Sequence, residues 1–152
     1  MPTNNLKLMK KLSFAANAFL ACCVLCMFFV YAYFNVTLMV NISIPILVLY
    51  ALFFVLIAIN RIDVYFWTVY ATIGIYMCVA TICLGPSFGF NLYCMSLVPI
   101  GFFCQYLAYK LNGRNIKTGY SSIALIALYF VSLGIVFYNG PLYEVDRTAE
   151  TI

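Results

Sequence analysis

The sequence predicts an all-α membrane protein: a bundle of five transmembrane helices, with the N-terminus cytoplasmic and the C-terminus outside. Three observations predict it. Of the 152 residues 66% are hydrophobic and only 8% are charged, whereas a soluble domain carries roughly 25% charged residues to cover its surface. Five apolar runs, each about long enough for a hydrocarbon core of roughly 30 Å, contain no Asp, Glu, Lys, Arg or His. The eight basic and four acidic residues fall between those runs, and most of the basic ones share one side.

The first run covers 12–34 and follows Lys7, Lys10 and Lys11. The second covers 42–59, where Pro45 suits the first helical turn because its missing N–H would be unpaired there anyway. The third covers 64–84 and the fourth 90–109. The fifth covers 119–138 and stops at Asn139-Gly140-Pro141, a strong helix-ending signal. Arg61-Ile62-Asp63 reads as a short turn that ends one helix and begins the next.

If all five runs span, Lys7, Lys10, Lys11, Arg61, Lys110, Arg114 and Lys117 lie on one side. Arg147 alone lies on the other, accompanied by Glu144, Asp146 and Glu150. The excess of Lys and Arg marks the cytoplasmic face. The expected layout is a basic N-terminus (1–11), a five-helix membrane domain (12–139) and a polar outer tail (140–152). The expected location is the cytoplasmic membrane of a bacterium. Phe19-Leu20-Ala21-Cys22 resembles a lipoprotein cleavage box, but the run continues to Phe34 and exceeds the 7–15 residues of a signal-peptide core, so an uncleaved first helix is expected. The sequons Asn35-Val36-Thr37 and Asn41-Ile42-Ser43 would hug the membrane and read as chance matches.

Composition removes most chemistry. Proton-coupled transport, metal-assisted hydrolysis and carboxylate catalysis need ionisable groups in the spans, and the chain has no histidine. No catalytic residue, cofactor site or metal site is therefore assigned. The charges form no patch that would hold nucleic acid. All seven cysteines sit in or beside the apolar runs. Cys23 and Cys26 have redox-pair spacing, yet packed or lipid-facing thiols behave as small hydrophobes. Tyr31, Tyr33, Tyr65, Tyr93, Tyr109, Tyr120, Tyr138 and Tyr143 fall near the span ends, as interfacial belts require.

Two groups of residues are candidates for a role beyond packing. Asn91, Tyr93, Ser96, Pro99 and Gln105 share the fourth helix, where Pro99 removes a backbone donor and favours a kink. Polar groups beside a kink can line a pocket for a small ligand. Ala18, Cys22 and Cys26 repeat small residues every four positions in the first helix. That spacing allows close helix approach, within the bundle or across a homodimer.

One stretch carries a resemblance. It reads Gly85-Pro-Ser-Phe-Gly89-Phe-Asn-Leu-Tyr93-Cys-Met-Ser-Leu97-Val-Pro99-Ile-Gly-Phe-Phe103. Its Gly-Phe pair, the following tyrosine, and the leucine and proline resemble the N-terminal membrane sensor region of bacterial (Firmicutes-type) signalling proteins such as diguanylate cyclases with a GGDEF domain. The resemblance implies a sixth helix and a cytoplasmic output domain. Neither is in this sequence, so it supplies no catalytic residues, and residues 143–152 would begin an outer loop before a missing span. The expectation is a non-catalytic membrane sensor or transducer, embedded in the lipid bilayer and answering to a small ligand. The alternatives are a small membrane carrier and a structural subunit of a membrane complex.

Overall fold

In a computed structural model, which describes residues 3–112 and 119–143, the chain is all-helical. The five helices are α1 (Thr3–Tyr33), α2 (Thr37–Ala58), α3 (Ile62–Leu84), α4 (Phe90–Asn112) and α5 (Gly119–Asn139), with a 3₁₀ turn at Pro86–Phe88 between α3 and α4. Four of them, α1, α2, α3 and α5, are long and apolar enough to cross a membrane. In α4 the apolar stretch among the described residues is Met95–Tyr106.

Pairing is legible from the hydrogen bonds. Lys10 Nζ donates to the Ala58 carbonyl and Asn17 Nδ2 to that of Tyr50, so α1 and α2 run antiparallel. Ser43 meets Tyr76 and Phe53 stacks edge-on against Tyr65, so α2 and α3 do the same. Tyr70 Oη donates to the Leu97 carbonyl and joins α3 to α4. Helix α3 packs against α2, α4 and α5 and bonds to α1 through Tyr65, so it is the central strut. Its inward face carries Tyr65, Val69, Gly74, Tyr76, Ala80, Thr81 and Cys83. Lipid tails are as apolar as leucine, so close packing and cross-helix bonds, rather than water exclusion, must hold these helices together. Two glycines on α3 and α4 provide the closest approaches. A Cβ on Gly74 would strike the Leu125 side chain, and one on Gly101 would lie 2.7 Å from Tyr70 Oη.

The boundaries correct the sequence reading in three places. Helix α1 begins at Thr3, through the lysines, because a helix may leave the hydrocarbon without breaking its own ladder. Helix α2 begins at Thr37, so Asn41 is helical and Pro45 lies in the helix interior, not in its first turn. The connection between α1 and α2 shrinks to residues 34–36, where Asn35 adopts a left-handed φ of 56° and makes the turn. Ile62 and Asp63 likewise belong to α3 rather than to a loop.

Candidate functional site

Among the described residues four buried polar side chains, Ser13, Asn17, Ser43 and Thr81, lie on α1–α3, and two more, Ser122 and Ser132, lie on α5. On α1 the inward face is Met9, Ser13, Asn17, Val24 and Tyr31, a helical stripe facing α2 and α3. Three cross-helix bonds leave or reach this face and its neighbours. Tyr65 Oη donates to the Ser13 carbonyl at 3.3 Å, and Asn17 Nδ2 donates to the Tyr50 carbonyl at 3.0 Å. Ser43 Oγ donates to its own helix at Met39 (2.7 Å), so its single proton is committed. Tyr76 Oη, 3.0 Å away, must donate to Ser43. Edge-on aromatic contacts continue the column through Tyr50, Phe53 and Tyr65, with Tyr31 against Tyr76 at the other end.

Among the described residues Asn17 Oδ1 is buried with no hydrogen-bond partner, and the buried Tyr31 Oη makes no well-aligned bond but lies against the Tyr76 hydroxyl. Asn17 is fully buried and Tyr31 is 2% exposed. Exchanging the Asn17 amide atoms would set oxygen against the Tyr50 carbonyl oxygen, so its orientation is fixed by the bond it makes. On the stretch of α1 between Asn17 and Tyr31 an apolar recess of about 70 Å³, open on one side, is bordered by Cys23, Met27, Tyr50, Ile73 and Tyr76.

The residues singled out on the fourth helix do not converge. Ser96 and Tyr93 are exposed, and Ser96 Oγ bonds back to the Leu92 carbonyl at 2.9 Å. Pro99 is exposed on an α4 that continues through it as one helix. The Asn91 side chain lies outside the described residues. Gln105 alone lines a recess, of about 40 Å³, with Trp67, Tyr70, Gly101, Cys104 and Ser121. Ala18, Cys22 and Cys26 are all exposed, on the side of α1 turned away from α2 and α3. They do not pack within the bundle.

The tyrosines divide. Tyr33, Tyr93, Tyr109, Tyr120 and Tyr138 are exposed, as an interfacial belt requires, whereas Tyr31 and Tyr65 are buried between helices. Tyr143 is a clasp: its hydroxyl lies 3.1 Å from Thr37 Oγ1 and accepts from Leu38 N at 3.3 Å. The Leu142 and Tyr143 amides bond to the Ile82 and Cys83 carbonyls at 3.2 and 2.8 Å, and so serve orphan groups at the end of α3. The sequence reading missed Ser13, Asn17, Ser43 and Tyr76 as a set. The signal was available on α1, where Ser13 and Asn17 sit four residues apart in line with Tyr31.

Among the described residues no cluster of three His, Cys, Asp or Glu side chains is placed to hold a metal. The chain matches no family model, no curated protein and no solved structure.

Proposed function

We propose that this chain is the membrane-embedded sensing and transducing region of a bacterial signalling protein, with no catalytic activity of its own. All five helices span in this reading, including α4. The N-terminus and the basic loops are cytoplasmic, and residues 140–143 are outside. The observation that carries it is the buried polar core of α1–α3. Asn17 Oδ1 there has no partner and an apolar recess opens beside α1, so a shift of α1 against α2 and α3 can gain contacts as it loses others. Such an element has a second arrangement within a few kcal/mol, which is what a ligand needs in order to bias it. The small-residue face of α1 (Ala18, Cys22 and Cys26) is free to carry the shift to a second copy in a homodimer. The expected output, a diguanylate cyclase, rests on the 89–103 resemblance alone.

Sequencing the reading frame past Ile152 tests the proposal. A sixth apolar span followed by a soluble output domain supports it. A stop codon directly after Ile152 overturns the cyclase-linked reading. The second reading, a structural subunit of a larger membrane complex, is favoured by one observation: α4 presents Phe102, Phe103, Tyr106 and Tyr109 outward. In-membrane crosslinking that yields only heteromeric products would favour it over a self-associating sensor.

A further inference from the structure

The start of α2 and the end of α3 lie side by side, and neither is closed by its own residues. Helix α2 begins behind Val36, whose apolar side chain cannot accept from the first-turn amides as Ser, Thr, Asp or Asn would. Helix α3 ends at Leu84, where Gly85 turns the chain with a φ of 87° and its amide serves the Thr81 carbonyl. The Ile82 and Cys83 carbonyls are among the last four of the helix, which have no acceptor role left inside it.

One segment from elsewhere in the sequence does both jobs. Helix α5 packs against α3 and α4 and stops at Asn139. Gly140, with a φ of 74° and open space where a Cβ would stand, redirects the chain. Pro141 then lies against Gly85, where a Cβ would sit 3.4 Å from the Pro141 Cβ. The Leu142 and Tyr143 amides donate to the Ile82 and Cys83 carbonyls. The Tyr143 hydroxyl accepts from the Leu38 amide and meets the Thr37 hydroxyl. A phenol 105 residues away thus supplies the cap that Val36 cannot.

Little else holds the segment down. Pro141 and Leu142 are exposed, and Tyr143 is the side chain that packs against the buried core. The bonds at Thr37 and Leu38 are exposed, so water can replace each partner when they separate. We propose that residues 140–143 are a detachable strap, hinged at Gly140, that ties α5 to α2 across the end of α3. With the strap down, the first turn of α2 and the last turn of α3 are capped together. With the strap lifted, both ends lose their caps at once, so the end of α5 sets the state of two other helices. The device works whichever helices span and whatever the chain signals.

Amide hydrogen exchange of the whole chain in micelles, resolved by residue with NMR, tests the strap. Tyr143→Phe keeps the ring and removes the cap, and Thr37→Val, at an exposed position, removes the hydroxyl that the phenol meets. In Tyr143→Phe the Leu38 amide is expected to exchange about fivefold faster, the change that loss of a helix cap brings. In both variants the amides of residues 142 and 143 are expected to quicken by about the same factor, although they bond to α3 and to neither altered group. Unchanged exchange at 142 and 143 in either variant overturns the proposal, because the two holds are then independent. An unchanged Leu38 amide in Tyr143→Phe overturns it too, as does quickening spread evenly through α4 and α5, which marks general loosening and not a local strap.

Discussion

At the scale of single residues, magnitudes decide which polar group stabilises and which burdens the core. A side-chain hydrogen bond between membrane helices is worth about 0.6 kcal/mol on average. A buried polar group left without a partner costs about 1–3 kcal/mol. Tyr31→Phe removes a buried hydroxyl that lies against the Tyr76 hydroxyl without a well-aligned bond, and it is expected to change the melting temperature in detergent little. Tyr76→Phe loses the bond to Ser43, which keeps its Met39 acceptor, and is expected to cost about 0.6 kcal/mol. Asn17→Leu removes one bond and one orphan together. The expected result is neutral to stabilising, measured by equilibrium unfolding in mixed micelles. A loss of more than about 1 kcal/mol in Asn17→Leu would show that its amide oxygen has a partner in the membrane, and would count against the proposed shift of α1.

At the scale of elements, the close approach of α3 to α4 and α5 depends on Gly101 and Gly74. A Cβ at position 101 meets the oxygen and two ring atoms of Tyr70 within 3.0 Å. The ring cannot yield without giving up its bond to the Leu97 carbonyl. Gly101→Ala is expected to cost about 1–3 kcal/mol, the usual range for overpacking. Gly74→Ala meets the movable end of Leu125 and is expected to cost less. Comparing the two variants' thermal melts checks the ordering. Helix existence was readable because hydrocarbon permits little else between charged loops. Helix ends were not readable, because backbone bonds continue past the apolar stretch. Lys10, which marked the boundary in the sequence, lies within α1 and reaches the last turn of α2 at Ala58. Thr37 and Asn41 looked like loop residues and are helical for the same reason.

At the scale of the whole molecule, the parity of spans is the property with the largest consequence. With the proposed cytoplasmic N-terminus, five spans would place residues 140–143 outside; four, with α4 excluded, would place them inside. An alkaline phosphatase fused after Tyr143 is expected to be active in a bacterial host, and a green fluorescent protein fused there is expected to be dark. The opposite pair of results would remove α4 from the membrane. The helical class was legible because long apolar runs separated by short charged segments read as helices, four of them long and apolar enough to cross a membrane. The candidate site was not, because it comes from the pairing of α1 with α2 and α3. Asn17 and Ser43 look alike in sequence, both mild polar groups in apolar runs, and only the bundle shows that Ser43 is satisfied and Asn17 is half so. The clasp at Tyr143 adds a mechanical consequence. Residues 142 and 143 are tied to the ends of α3 and α2, whereas α5 stops at Asn139. A load applied at residues 142 and 143 is therefore borne by the central strut and its neighbour rather than by the helix that leads to them, which makes this short segment a handle on the core.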